Sequence, residues 1–215
     1  MDRRKAIRNM GLALGYTVAT PTLLSIVQSC KKDAAILWTP DFLSSAEGSV
    51  LTHLVDIILP KTDTPSASEV QVHIFIDRLA DQVMEKEQQD MLKMTMGKFL
   101  DKVLKDSGKT EIADLTPKEL EPVLANALKI SKEDQVNHFK AIKTYTEAVK
   151  AGKTDNLNDD ISRFAFANNL RDLTIWGYKS SELVGENVLS YLPVPGEYIG
   201  CGDLQELTGG KAWSL

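Results

Sequence analysis

The side chains able to do chemistry are few and scattered. His53, His73 and His138 are the only histidines, and Cys30 and Cys201 the only cysteines. His53 and His73 fall on different predicted helices, so a bis-histidine haem site across two helices is one reading. A structural or solvent-facing imidazole is the simpler one for an amphipathic helix. Met84, Met91, Met94 and Met96 crowd one stretch. They read as thioether metal ligands or, with fewer assumptions, as flexible core filler. Asp155, Asp159 and Asp160 lack the turn glycine and bidentate glutamate of a calcium loop, and read as helix N-terminal acids. No CxxC, CxxCH, GxGxxG, Walker loop or GxSxG occurs, so the common zinc, c-haem, dinucleotide, nucleotide and hydrolase signatures are missing. Cys201 sits in Gly200-Cys201-Gly202 with no histidine near it in sequence. In an oxidising compartment it could pair with a partner's cysteine. A non-catalytic role leads, with no catalytic, cofactor-binding or metal-binding residue assigned to this chain.

The elements around these residues begin with a leader. Arg3, Arg4, Lys5 and Arg8 precede an uncharged run from Asn9 to Ser29 that carries Leu12, Leu14, Val18, Leu23, Leu24, Ile26 and Val27. A basic start, an apolar run and a small residue before a cut describe an export signal over residues 1–29. Arg3-Arg4 with Ile7 and Arg8 resembles a twin-arginine motif, although Ala6 stands where that motif prefers Phe. Val27-Gln28-Ser29-Cys30 resembles a lipobox, which makes Cys30 the lipidation site; two acyl chains on it would hold the protein on a membrane. A transmembrane anchor is an alternative reading, but Gly11, Gly15, Thr17, Thr20 and Pro21 weaken the run as a permanent span. A soluble exported product is the third. Without the leader, 186 residues remain, carrying 21 basic and 29 acidic side chains, a net charge near −8. That acidic balance repels a phosphate backbone, so nucleic acid is not expected as a partner.

Residues 30–43 read as a tether, broken by Pro40, and residues 44–215 as a single helical domain. Helix-start signals recur: Ser44-Ser45-Ala46-Glu47, Ser66-Ala67-Ser68-Glu69, Thr116-Pro117-Lys118-Glu119 and Ser131-Lys132-Glu133-Asp134. In such a box the hydroxyl accepts from one unpaired amide and the carboxylate from another. Apolar residues then recur every three or four positions, as in Val50, Leu51, Leu54, Ile57 and Ile58. Five further sets follow: Val72 to Val83, Leu92 to Leu104, Leu120 to Leu128, Val136 to Val149, and Ile161, Phe164, Ala165, Leu173 and Trp176. The predicted fold is all-α, an irregular bundle of six to seven helices. After Trp176, nine glycines and prolines predict a loop-rich tail, with a short helix at 181–189. Tyr178, Tyr191, Tyr198 and Trp213 in that region need a surface to pack on, either the bundle or a partner chain.

Two segments carry a resemblance. Leu54-Val55-Asp56-Ile57-Ile58-Leu59-Pro60-Lys61-Thr62-Asp63-Thr64-Pro65-Ser66-Ala67 resembles the I-I-P-x-T-D-T-P-G-A segment of the gluconate 2-dehydrogenase subunit 3 family, with Ser66 in place of the usual Gly. Val72 to Asp77 continues it. Thr174-Ile175-Trp176-Gly177-Tyr178, Glu182-Leu183-Val184-Gly185, Tyr191, Pro193-Val194-Pro195-Gly196-Glu197-Tyr198 and Gly200-Cys201 resemble the C-terminal end of that family. The resemblance implies a small subunit that carries the export signal for an FAD flavoprotein of the glucose–methanol–choline type, acting on gluconate, a glucoside or another sugar. It implies FAD in that large subunit and haem c in a cytochrome that often completes the complex, with no cofactor in this chain. The expected contact residues are Pro60, Thr62, Asp63 and Pro65 in the first segment, and Trp176, Tyr178, Tyr191, Pro195, Tyr198 and Cys201 in the second. The expected location is the periplasmic face of a bacterial membrane, with the chain lipid-anchored. A stand-alone haem- or ligand-binding lipoprotein is the alternative.

Overall fold

A computed structural model describes residues 38–153, 156–192, 194, 196, 199 and 201–214. Arg3 and Arg4 of the leader and Cys30 at the start of the tether lie outside these residues, as do Asp155, Pro195 and Tyr198. Among the described residues the chain is all-α. The helices are α1 (Ser45–Ile58), α2 (Val72–Gln82), α3 (Lys86–Ser107), α4 (Pro117–Leu128), α5 (Lys132–Lys150), α6 (Asp159–Lys179), α7 (Glu182–Asn187) and α8 (Leu204–Thr208), with a 3-10 turn at Ile112–Asp114. The described residues contain no strand; Ser190 and Trp213 form an isolated parallel bridge. No described helix is long and apolar enough to cross a membrane.

Local chemistry explains most helix boundaries. Ser44 and Glu47 form a reciprocal capping box at the start of α1. Thr116 and Glu119 do the same for α4, with Pro117 at the first helical position. The Ser131 hydroxyl accepts from the Asp134 amide at the start of α5. Gly108, at φ 71°, closes α3 in the left-handed region that suits glycine. The Ser66–Glu69 box behaves differently. Its bonds form, with Ser66 N–H donating to the Glu69 carboxylate over 2.9 Å, but they close a turn, and α2 starts later at Val72. The eighth helix was not expected from the sequence. Asp203 accepts from the Gln205 and Glu206 amides to start it, and Gly209 at φ 62° ends it within five residues.

Pro40–Leu215 forms one compact unit. Its centre is the α3–α6 pair, and α6 also packs on α1, α2, α4, α5 and α7. Leu54 and Val55 of α1, Phe99 and Val103 of α3, Leu120 of α4 and Ala167 of α6 are fully buried in one cluster. Each large apolar side chain buried there contributes about 1.5–3 kcal/mol. Exposed pairs such as Lys86–Asp90 and Lys102–Asp106 contribute under about 1 kcal/mol each, so the core and not the surface charge holds the helices together.

Two helix faces differ from the expected ones. α6 buries Ser162, Phe164, Phe166, Ala167, Leu170, Thr174 and Gly177, while Trp176 is 47% exposed. Hydroxyls can lie on the buried side because each bonds back one turn: Ser162 to Asn158 O over 2.9 Å and Thr174 to Leu170 O over 2.7 Å. α5 has the expected periodicity but buries none of its residues, and Val136 is 67% exposed. It packs mainly on α6 and touches α3 where the Thr146 hydroxyl meets Met91, so only part of its apolar face is covered.

Candidate partner-binding site

Pro60 follows the last turn of α1 and, lacking an amide, cannot continue it. The loop that follows is held by its own polar groups. Ala67 N–H donates to Leu59 O over 3.0 Å, and Thr62 N–H to Thr64 O over 3.0 Å. The Asp56 carboxylate accepts from Ser68 N–H over 2.7 Å and from the Ser68 hydroxyl over 2.6 Å. Lys61 pairs with Glu69, and this bond with the Ser66 amide keeps the Glu69 carboxyl below its ordinary range. Pro60, Lys61, Thr62 and Asp63 are exposed on this braced loop, and Pro65 is half-buried.

The last turns of α6 meet that loop. Tyr178 Oη donates to Pro65 O over 2.8 Å, joining two segments 113 residues apart in sequence. Trp176 packs edge-on against Phe75 of α2, with ring centroids 5.0 Å apart. Gly177 faces α2 so closely that a Cβ there would lie 2.6 Å from Phe75 Cδ1 and 3.3 Å from Val72 Cγ1. A glycine inside a helix costs about 0.5–1 kcal/mol relative to alanine; here the missing side chain is what lets the helices approach. Tyr178 is therefore brought to Pro65, on the loop that also carries Pro60, Thr62 and Asp63, while Trp176 lies against α2. Tyr191, 51% exposed, and the free, exposed Cys201 lie in the tail. Among the described residues, no hydrogen bond or ring contact ties either of them to the loop. The tail is fastened near Tyr191, where Ser190 N–H donates to Ala212 O over 2.8 Å and Ser214 N–H to Ser190 O over 2.9 Å.

Three features of this region were not read from the sequence. Asp77 of α2 is fully buried and accepts from the Asp41 amide over 2.6 Å, from Leu43 over 2.9 Å and, more weakly, from Phe42 over 3.3 Å. The end of the expected tether is thus strapped to α2, and no local pattern announces so distant a pairing. Gln71, the N-cap of α2, holds φ at 61° and is the only described non-glycine residue with positive φ. That conformation costs a side-chain-bearing residue roughly 1–2 kcal/mol. The third is the packing role of Gly177, for which the one available signal was a glycine inside a helical pattern.

The histidines are dispersed. His53 is half-buried on α1, and His138 of α5 packs tilted against Phe164, with ring centroids 5.1 Å apart. Burial pushes the His73 imidazole below its ordinary range, with the Asp56 carboxylate partly opposing the shift. No three His, Cys, Asp or Glu side chains converge as a metal-binding group among the described residues. Met96 is core, with 1% exposure, and Met91 lies within 3.9 Å of the Thr146 hydroxyl. This end of the chain exposes apolar groups, Ile175, Trp176, Leu183, Tyr191, Leu192 and Val194, beside the acidic Glu182 and Glu186. Exposed apolar groups concentrated in one stretch mark a surface that meets another molecule.

Comparison with curated proteins and with solved structures finds no match. The family model for gluconate 2-dehydrogenase subunit 3 matches residues 45–196, a span that contains both the braced loop and the Trp176–Tyr178 end of α6. With its matched span running from α1 through α7, this all-α chain belongs to the gluconate 2-dehydrogenase subunit 3 family and is an accessory subunit of a dehydrogenase.

Proposed function

We propose that this chain is the non-catalytic small subunit that binds, helps export and anchors an FAD-dependent sugar or gluconate dehydrogenase of the glucose–methanol–choline type. The observation that carries the reading is the Tyr178–Pro65 hydrogen bond. It joins the two segments that resemble the family most closely into one braced surface, beside exposed aromatic and aliphatic side chains. Rigid aromatic groups make good interface anchors because they bury much area while losing little conformational freedom.

The leader supplies the rest of the reading. A flavoprotein takes up its cofactor as it folds, so its export requires a route for folded cargo. The twin-arginine-like Arg3-Arg4 pair is an address for such a route, and a bound helper could carry a partner that has none. Cys30, once lipidated, would then keep the complex at the periplasmic face of the membrane. A cytochrome c in a third subunit would take up electrons from the flavin.

The test is deletion of residues 1–29 in the native host, with dehydrogenase activity measured in cytoplasmic, periplasmic and membrane fractions. The expected result is activity stranded in the cytoplasm, while Cys30→Ala alone moves it from the membrane to a soluble fraction. Exported activity that persists at wild-type level in a strain lacking this protein overturns the reading.

A further inference from the structure

A groove runs along the exposed side of α2 and turns the corner between α6 and α7. It consists of two adjoining hollows of about 460 and 370 Å³ that share Val70, Gln71 and Ser181. The first hollow has an apolar floor of Ile74 and Leu79 on α2, Val83 just past its end and Gly177 at the α6 side, with Arg78 and Gln82 also in its lining. The second is bordered by Leu183 and by Glu69, Glu182 and Glu186.

The charges at this groove do not balance. Glu69 is answered by Lys61, and Arg78 lies 3.8 Å from Asp41. Glu182 and Glu186 are both exposed, one turn apart on α7, and neither has an ion-pair partner among the described residues. Like charges at that spacing disfavour the helix that carries them. Between the two hollows stands Gln71, in a backbone conformation that glycine would adopt without strain. Its side chain caps nothing and makes no hydrogen bond among the described residues. An exposed amide held at a conformational cost in the middle of a groove points to a contact made outside the chain.

We infer that this groove seats a segment of the dehydrogenase's catalytic chain that carries an apolar anchor next to a lysine or arginine. The anchor fills the hollow lined by Ile74, Leu79 and Val83, the cation faces Glu182 and Glu186, and the Gln71 amide pairs with the segment's backbone. The inference rests on the subunit reading above and deepens it by giving the place and the chemistry of the contact. Charge argues against other occupants. With a net charge near −8 outside the leader, a second copy of this chain brings acid to acid, and an anionic lipid surface does the same. The groove is also continuous with the candidate interface, because Phe75 lines it and packs against the exposed Trp176.

The experiment is co-expression of the tagged full-length chain with the dehydrogenase chain of its own host. Affinity purification follows, with the captured chain identified by mass spectrometry. Wild type is expected to retain an equimolar dehydrogenase chain, less of it in about 0.5 M salt. Glu182→Lys with Glu186→Lys is expected to lower capture about tenfold or more, and Leu183→Asp to do the same. Gln71→Gly should lower capture while raising Tm, which separates contact from folding. Lys143→Glu, on the exposed surface of α5, should capture as wild type does. If wild type captures the dehydrogenase and the groove variants capture it equally well, the groove assignment is overturned and the subunit reading stands. Groove variants that change only the oligomeric state of this chain overturn it as well. If wild type retains no dehydrogenase, the subunit reading fails and the inference falls with it.

Discussion

Asp77 shows how one side chain can fix a distant segment. Its carboxylate is fully buried, yet the amides of Asp41, Phe42 and Leu43 surround it with donors. Asp77→Ala removes the acceptor and leaves those amides unsatisfied, a predicted loss of about 2–4 kcal/mol. Urea denaturation measures the loss, and limited proteolysis should show new cleavage near residues 41–43. Asp77→Asn, which keeps one carbonyl oxygen, should lose less. Nearby, burial would raise the Glu47 carboxyl, but Lys93 at 2.6 Å and the Ser44 amide outweigh it and hold the group below its ordinary range. Lys93 also lies 5.0 Å over the Phe42 ring, so the strap and the start of α1 share one cation.

The contact between α2 and α6 is set by the absence of a side chain. Gly177→Ala places a methyl group 2.6 Å from Phe75 Cδ1, and that ring is already fixed against Trp176. Overpacking costs about 1–3 kcal/mol, against a helix-propensity gain of about 0.5–1 kcal/mol. The predicted result is net destabilisation with altered Trp176 fluorescence, and Phe75→Leu in the same chain should recover part of the loss. Thermal unfolding followed by fluorescence tests both. α5 is the contrasting case. Its apolar residues have helical spacing, but α6 covers only part of them, and Phe139 meets Phe164 edge-on at 5.3 Å while remaining 50% exposed.

Across the molecule, the shifted groups all make acid destabilising. Burial holds the His73 imidazole below its ordinary value of 6.5, so the unfolded chain takes up its proton first. That contribution is whole above about pH 6.5 and is lost as pH falls below it. Glu119 is held down at about 2 by its bonds to the Thr116 hydroxyl and Lys109, from an ordinary value of 4.5. Its contribution is present above 4.5 and is lost as pH falls towards about 2. Stability should therefore decline in two stages on acidification. Urea midpoints measured from about pH 8 to about pH 3 check this. His73→Gln should flatten the upper stage, and Glu119→Gln part of the lower, which Glu47 and Glu69 share; a profile unchanged by either substitution contradicts the assignment.

Much of this architecture could be read from the chain alone. The all-α class, the capping boxes at Ser44 and Thr116, the Ser131 cap and the stop at Gly108 depend on residues within one turn of each other. So does the signature of the loop from Pro60 to Pro65. Local hydrogen bonds and steric preferences decide such features wherever the helices later pack. Periodicity could not decide which face of α6 is buried, because Ser162 and Thr174 satisfy their hydroxyls within the helix and so go inside. Nor could it show that α5 stays half-covered, that Asp77 answers amides 34 to 36 residues earlier, or that Tyr178 closes on Pro65. The candidate site is accordingly half legible. Its residues stand out in the sequence, but their meeting depends on contacts between helices far apart along the chain, which exist only once the core around α3 and α6 has formed.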